Sequence, residues 1–252
     1  MSQAILTTQK LCKTFSHDGL QQHVLKNLDL EIREGDFTVI MGSSGAGKST
    51  LLYALSGMDK PTLGSIVFSS KEISGMSNDQ LAVFRRVHCG FVFQQVFLMD
   101  SMSVMDNVLA CGLLAGGERK TVFERAKHLF TRVQLSEADW KKFPSQLSGG
   151  EAQRAGVVRA LINSPKVVFA DEPTGALNSA SGKAVLDVLT QVHQNGQSVV
   201  MVTHDLRSAR RGNRILYLKD GVVCGECDLG AYVSCDRVRH DKLTGFLKEM
   251  GW

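Results

Sequence analysis

A nine-residue segment combines three glycines with a lysine and neighbouring hydroxyl residues at a spacing that suits phosphate binding. It fits the pattern G-x-x-x-x-G-K-[S/T], in which glycines let successive backbone N–H groups point inward at anionic oxygens. We expect Lys48 to reach the β- and γ-phosphates of a nucleoside triphosphate and the Ser49 hydroxyl to hold Mg²⁺. The predicted binding residues are Gly42, Ser43, Ser44, Gly45, Ala46, Gly47, Lys48, Ser49 and Thr50.

A second group with possible chemistry is the carboxylate pair Asp171 and Glu172, which follows an apolar run predicted to be a strand over 166–170. A nucleotide site needs one acid to hold Mg²⁺ through water and another to orient or deprotonate the attacking water. We assign the first role to Asp171 and the second to Glu172. Two acids that merely cap a strand are the alternative, and the upstream phosphate loop disfavours it.

A third segment, Leu147-Ser148-Gly149-Gly150-Glu151, is a glycine-rich helix start. Ser148 is expected to cap the helix and Glu151 to complete the capping box. The free N–H groups of this first turn face outward and form a second surface suited to phosphate. Helix capping alone explains the serine and the glutamate equally well, so the residues themselves leave both interpretations open.

The elements that must position these groups follow an α/β pattern. Phe37–Met41 is an apolar run typical of a buried parallel strand, and a helix is predicted to start near Lys48. Further strands are predicted over 4–11, 65–68, 90–93, 166–170 and 198–203, and helices over 77–86 and Ser179–Gln194. Strands alternating with helices imply a mostly parallel sheet with helices on both faces.

The middle of the chain, 98–161, is predicted to be mostly helical and to be inserted into the α/β core. Ser103, Thr121 and Ser136 each have an acidic residue three positions later, so we predict that each caps a helix. The tail after about residue 228 is predicted to contain a short docking helix.

Composition places the chain among ordinary globular proteins. It has 252 residues, 43% hydrophobic and 21% charged, with a net charge of +4. The mild charge and the lack of a Lys/Arg run argue against a nucleic-acid partner. No apolar stretch approaches the roughly 20 residues that cross a bilayer, and the start lacks the pattern of a signal peptide. We therefore expect a cytosolic chain that needs a partner for any membrane role.

The six cysteines are expected to be reduced thiols. Cys224 and Cys227 have the C-x-x-C spacing of metal and redox sites, and Cys235 follows. The motif lacks a second pair and comes directly after Asp220-Gly221, a hairpin signal. We therefore favour small strand or turn residues over metal or redox chemistry.

Taken in order, these motifs resemble those of the nucleotide-binding domain of ATP-binding-cassette (ABC) proteins. The resemblance covers almost the whole chain and adds Gln94 after its strand and His204 after the strand at 198–203. It implies a P-loop NTPase fold of the ABC ATPase type with an N-terminal antiparallel β subdomain. The implied divisions are a RecA-like core at about 1–95 and 162–227, a helical subdomain at about 96–161 and a C-terminal tail at about 228–252.

The resemblance also implies a mechanism. Two copies pair head to tail, and each ATP with its Mg²⁺ lies between the phosphate loop of one copy and Ser148, Gly149 and Gly150 of the other. His204 reads the γ-phosphate within its own copy. Gln94 joins the magnesium ion and the attacking water to the transport partner, so it counts as a metal-site and catalytic residue together with Glu172 and His204.

Two further residues depend on the resemblance. An aromatic side chain near the N-terminus stacks on adenine in the family, and Phe15 is the matching candidate, with a core phenylalanine as the alternative. After Ala176-Leu177 the family usually has aspartate, whereas this chain has Asn178, which keeps an acceptor oxygen and loses the charge. We expect hydrolysis to survive and the coupling between the two ATP sites to differ.

Within the family, the segments around Gln94, Asp171 and His204 resemble the macrolide-export, lipoprotein-release and bacitracin-efflux branch, and the ending at 246–250 is most similar to antimicrobial-peptide transporters. The implied partner is an FtsX-like permease with few membrane helices, which holds the ATPase at the inner face of the membrane. The alternatives are a non-pumping, signal-transmitting ATPase of the cell-division type and a soluble assembly factor. The substrate is not encoded here, because the permease selects it.

Overall fold

The computed structural model describes residues 3–17, 19–234 and 236–252. The strands are β1 (Ala4–His17), β2 (Leu20–Arg33), β3 (Phe37–Met41), β4 (Leu63–Phe68), β5 (Lys71–Glu72), β6 (Cys89–Phe93), β7 (Val167–Asp171), β8 (Ser198–Val202), β9 (Arg214–Lys219) and β10 (Val222–Asp228). The α-helices are α1 (Lys48–Leu55), α2 (Asn78–His88), α3 (Val104–Leu114), α4 (Arg119–Arg132), α5 (Glu137–Trp140), α6 (Gly149–Leu161), α7 (Ser179–Gln194), α8 (Leu206–Ala209) and α9 (Arg237–Glu249).

The chain forms two compact units, Met1–Leu81 with Ser198–Trp252 and Ala82–Gln197. The first unit contains an antiparallel sheet in the order β2-β1-β4-β5 and a second group of strands in the order β10-β9-β3-β8. Strand β3 pairs in parallel with both β8 and β9, and all five of its residues are buried. This central position explains why β3 is a continuous apolar run. The predicted subdomain boundaries stay predictions.

Strands β1 and β2 each run for 14 residues, so β1 extends beyond the strand predicted over 4–11. They pair from Ala4 and Arg33 to His17 and Leu20. The first four residues of β2 are exposed, so no alternation of apolar and polar residues marks its beginning. The segment Ser16-His17-Asp18-Gly19 is predicted from the sequence to be a turn between these strands, and Asp18 lies outside the described residues.

The C-terminal part of the first unit confirms two predictions. Asp220 and Gly221 both have positive φ and connect β9 to β10 as a hairpin. The predicted docking helix is α9, with Leu243 and Leu247 buried. A Cβ at Gly225 of β10 would lie 2.6 Å from the Met250 sulfur, so the helix packs closely on this strand.

In the second unit, β6 and β7 pair in parallel, and helices α3 to α7 accompany them. Ser103 and Ser136 cap α3 and α5 as predicted. The prediction for Thr121 is wrong, because α4 begins earlier and Glu118 takes the cap position. The Thr121 hydroxyl lies within the first turn and donates a hydrogen bond to the Glu118 carboxylate at 2.9 Å.

Candidate functional site

The predicted phosphate loop lies between the end of β3 and the start of α1, in the order that the sequence indicates. Gly47 is the N-cap of α1 and has a left-handed backbone with φ 96°. Its carbonyl accepts the first helical hydrogen bond, from Leu51 N–H at 2.8 Å. The helix therefore begins at Lys48, and the positive end of its dipole lies beside the loop.

Two of the loop glycines are required by close packing. A Cβ at Gly42 would lie 2.1 Å from the carbonyl oxygen of Leu218 in β9. A Cβ at Gly47 would lie 3.0 Å from a methyl carbon of Val24 in β2, in addition to its positive φ. Atoms of β9 and β2 thus pack against one side of the loop, while Ser43, Ser44 and Gly45 are exposed. The exposed side is the one that an anion can reach.

The Lys48 side chain folds back over this loop. Its ammonium group donates hydrogen bonds to the carbonyl oxygens of Gly42 and Ser43, both at 2.9 Å. The charge is thereby held at the loop instead of extending into solvent. A cation and a helix N-terminus at one place make a strong site for a multiply charged anion.

His204 lies at the same sheet edge as the loop. Strand β8 pairs in parallel with β3, and Val202 is opposite Ile40. His204 and Gly42 each come two residues after this pair, and His204 is exposed. The first unit therefore brings the predicted γ-phosphate sensor and the phosphate loop to the carboxyl ends of neighbouring strands.

Asp205 stabilises the turn that carries His204. Its carboxylate accepts hydrogen bonds from the N–H of Ser208 at 2.8 Å and from the Ser208 hydroxyl at 2.7 Å, and so caps α8. Burial opposes ionisation of Asp205, but these hydrogen bonds outweigh it, so its pKa lies below the ordinary value. The cap is therefore charged at neutral pH.

Phe15 is a surface residue and not a core one. Its side chain is 44% exposed, and the Lys13 ammonium lies 4.9 Å from the ring centroid. Phe15 pairs with Gln22 of β2, and Val24, two residues further along β2, contacts Gly47. An exposed ring a short distance along the strand from the loop is compatible with the predicted adenine contact.

In the second unit, the structure brings Gln94, Asp171 and Glu172 together. Phe93 of β6 is paired with Asp171 of β7, so Gln94 follows directly at the edge where the two acids stand. The Gln94 side chain also packs on Gly175, where a Cβ would lie 2.9 Å from its amide nitrogen. An amide and two carboxylates at one sheet edge are the kinds of group that the predicted Mg²⁺ ligands and the predicted base require, and these roles stay predictions.

Glu172 has a feature that nothing in the sequence signals. Its backbone is left-handed with φ 43°, a conformation that residues with a side chain rarely adopt. Its carbonyl accepts a hydrogen bond from Gly175 N–H at 3.0 Å, which closes the turn after β7. Strained backbone of this kind persists where the surroundings fix it, and it concentrates at functional sites.

The capping box at the start of α6 is confirmed. Glu151 N–H donates to the Ser148 hydroxyl at 3.3 Å, and Ser148 N–H donates to the Glu151 carboxylate at 2.7 Å. The hydrogen bonds from Ser148 hold the pKa of Glu151 below its ordinary value. Ser148 and Gly149 are exposed, so their side of this helix start is open to solvent. The phosphate-binding role stays a prediction.

Asn178 has a structural role in the same unit. It is the N-cap of α7, where its side-chain oxygen accepts a hydrogen bond from Ser181 N–H at 2.9 Å. A Cβ at Gly150 would lie 2.8 Å from Ser181 Cβ and Oγ, so the starts of α6 and α7 touch. The sequence predicts the bounds of α7 but does not show this contact.

The C-x-x-C motif does not form a cluster. Cys224 is exposed and Cys227 is buried on β10, and Cys235 lies outside the described residues. In the described ranges no group of three or more His, Cys, Asp or Glu side chains is placed to hold a metal ion. No helix within those ranges is long and apolar enough to span a membrane.

The fold and these site elements define an ATP-hydrolysing cassette domain, and the chain belongs to the ABC transporter family, whose model matches residues 25–175. It is 41% identical over 226 residues to a macrolide export ATP-binding/permease protein MacB of Shewanella sp. (strain W3-18-1), and 44% identical over 230 residues to MacB 1 of Aeromonas hydrophila. The aligned regions cover 90% of this chain and 35% of each relative. The chain thus spans about a third of the length of these relatives.

Solved structures confirm the predicted fold class. A dimer described as a post-hydrolysis state of the ATP-binding cassette MJ0796, bound to ADP and Pi, is 36% identical. It matches with a TM-score of 0.83 over 90% of this chain and all of that one. A second dimeric structure of the same cassette, described as a bacterial ABC transporter cassette, matches with the same TM-score at 37% identity.

Proposed function

We propose that this chain hydrolyses Mg²⁺-bound ATP at sites shared between two copies of itself, arranged head to tail, and that this cycle drives a membrane permease. The observation that carries the proposal is the presence of two separate helix starts suited to phosphate. One is the loop held by Lys48, and the other is the exposed capping box at Ser148 and Gly149. In a head-to-tail pair, each ATP would lie between the loop of one copy and the helix start of the other.

In this mechanism the loop and Lys48 bind the β- and γ-phosphates, and Phe15 stacks on the adenine. Glu172 takes a proton from the water whose oxygen attacks the γ-phosphorus. The bond between that phosphorus and the bridging oxygen to the β-phosphate breaks, which leaves ADP and phosphate. His204 contacts the γ-phosphate and orients the attack.

The residues that would hold Mg²⁺ are Ser49, Gln94 and Asp171. They offer hydroxyl, amide and carboxylate oxygens, which are the hard donors that Mg²⁺ prefers, together with phosphate oxygens and water. When bound, the ion neutralises charge on the phosphates. The aligned side chains at the carboxyl ends of β6 and β7 fit this donor set.

Complementation between two inactive variants tests the shared site. Lys48→Ala disables the loop, and Ser148→Asp keeps a good N-cap while it places a negative charge against the partner's phosphate. Each variant alone is expected to lose turnover. A mixture regains about a quarter of the wild-type rate, because half of the dimers then contain one intact site out of two.

The control is Ser136→Asp, which changes the equivalent capping-box serine of α5. This variant is expected to retain wild-type turnover. When it is mixed with Lys48→Ala, the total turnover should equal that of the same amount of the Ser136→Asp variant alone. A mixture of Lys48→Ala with Ser148→Asp that stays inactive, although subunit exchange is demonstrated by labelled copies, contradicts the head-to-tail arrangement.

Asn178→Asp tests whether the departure from the family pattern affects communication between sites. Asparagine and aspartate are equally good N-caps, so the free energy of unfolding is expected to change by less than about 0.5 kcal/mol. We expect hydrolysis to continue with a changed Hill coefficient for ATP, because a new charge enters the turn that touches the start of α6. Unchanged cooperativity of the ATPase contradicts this role.

For the partner, we propose an FtsX-like permease with few membrane helices, which exports or extracts amphipathic substrates such as antimicrobial peptides or lipoproteins. The MacB relatives, whose names describe macrolide export and a permease, support a partner of this branch. The chain would then lie at the inner face of the membrane. The test is ATPase stimulation of the reconstituted complex by a macrolide, a bacitracin-type peptide or a lipoprotein. A neighbouring gene for a wall hydrolase favours the signalling alternative.

A further inference from the structure

One face of α6 runs along the segment that contains Gln94. The residues on this face are Gln153, Gly156 and Arg159, which are spaced three apart and therefore lie on one side of the helix. The segment is 93–97, from the last residue of β6 to Phe97. The helix that makes these contacts is also the helix whose first turn carries Ser148–Gly150.

The contacts form three successive points of attachment. The Gln153 side-chain amide is buried and donates to the Phe93 carbonyl at 2.7 Å. Gly156 leaves room for Val96, whose methyl carbon lies 2.9 Å from the place of a Cβ. Arg159 donates through Nη2 to the Val96 carbonyl at 2.7 Å and through Nη1 to the Phe97 carbonyl at 2.6 Å.

The Arg159 guanidinium is committed to these two carbonyl groups. No carboxylate forms an ion pair with it among the described residues. Burial lowers its pKa from the ordinary value, although the group stays charged at any physiological pH. The planar guanidinium presents its two N–H groups in a fixed geometry, whereas the ammonium group of lysine sits on a flexible stem and has no such fixed pair of donors.

The backbone is strained at Phe97, whose carbonyl is the second acceptor of Arg159. Phe97 has φ 51° although it carries a large side chain, and that side chain is 61% exposed. The Phe97 ring meets the Phe93 ring edge to face, with 5.6 Å between the centroids, and the Phe97 carbonyl accepts the hydrogen bond from Arg159. Both contacts stabilise the left-handed turn, since an unusual backbone conformation persists only where its surroundings fix it.

We propose that Arg159 is a positioning residue for Gln94, which fastens the main chain after Gln94 to α6 so that Gln94 and the start of α6 move as one body. The catalytic consequence rests on the proposed function, in which Gln94 serves the chain's own ATP and Ser148–Gly150 serve the partner's ATP. Engagement of one nucleotide by the start of α6 would then set the position of Gln94 at the other.

Amide hydrogen exchange of the whole chain tests the attachment without any need for ATPase activity. Arg159→Met and Arg159→Lys are both expected to speed exchange at 95–98 by about tenfold or more, since local opening there loses its two anchors. The control is Arg125→Met, which removes a hydrogen bond from a different arginine to the carbonyl of Leu161, the last residue of α6. Exchange at 95–98 that is unchanged in both Arg159 variants overturns the proposal.

Turnover measurements test the positioning role. Arg159→Lys is expected to lower kcat by about tenfold or more and to leave the KM for ATP within about twofold, because displaced catalytic groups affect the reacting geometry. In a Gln94→Ala background the same change is expected to add little, because both act through one side chain. If the losses in kcat caused by Arg159→Lys and Gln94→Ala multiply in the double variant, then Arg159 does not act through Gln94, and the positioning role is overturned. A wild-type chain without ATPase activity contradicts the proposed function, and the exchange experiment still decides on the attachment.

Discussion

Glu172→Gln is expected to lower ATP turnover by about 10²- to 10⁴-fold, the contribution typical of a positioned general base. Glutamine keeps the shape of the side chain and its hydrogen-bonding capacity but does not take a proton from water at neutral pH. ATP binding should survive, because the loop and Lys48 are unchanged. The variant should therefore accumulate as an ATP-bound dimer, which size-exclusion chromatography detects as an ATP-dependent doubling of mass.

The matched control for this experiment is Glu137→Gln, which neutralises an exposed glutamate paired with Lys141 at 3.1 Å on α5. Exposed ion pairs of this kind contribute little to stability, so turnover should stay at the wild-type rate. Normal hydrolysis by Glu172→Gln refutes the assignment of the base. Loss of hydrolysis together with loss of ATP binding indicates instead that the turn after β7 has collapsed.

Lys48→Ala is expected to weaken ATP binding on the order of 30- to 5,000-fold. The reason is that the ammonium group is held at the loop by the Gly42 and Ser43 carbonyls, in position for phosphate. Removing one member of a hydrogen-bonded charge pair costs about 2–5 kcal/mol of binding free energy. Isothermal titration with ATP, or with a fluorescent analogue, measures the change directly.

Lys48→Met separates charge from packing, since methionine keeps an unbranched stem and cannot donate a hydrogen bond. It should bind ATP as poorly as the alanine variant. Lys71→Ala in β5 is the control for loss of one exposed lysine from the same unit and should bind ATP normally. Tight ATP binding by both Lys48 variants argues against this loop as the nucleotide site.

The local elements were predictable because their signals are local. Strand β3, the start of α1 and the bounds of α7 agree with the sequence prediction. Each combines an apolar run or periodicity with a glycine or a capping residue at its end. The adjacency of Gln94 with Asp171 and Glu172 was implied by the resemblance to the family and not by the local pattern, because the sequence does not show that β6 and β7 are neighbours.

What the sequence does not reveal depends on distant or backbone-level effects. The fork from Arg159 joins residues more than sixty positions apart, and no local pattern indicates it. The exposed ring of Phe15 lies in a part of β1 whose pairing strand has no apolar alternation. The cap at Thr121 was mispredicted because the acidic residue that follows it is common inside helices as well as at their starts.

The left-handed backbone at Glu172 lowers the stability of the fold at a residue for which we propose a catalytic role. This conformation costs an L-residue with a side chain about 1–2 kcal/mol, whereas glycine adopts it freely. A glycine at this position would therefore relieve strain while it removes the carboxylate. With the base role proposed for Glu172, selection for thermal stability alone is expected to enrich variants that no longer turn over ATP, because the strained residue and the proposed base are the same.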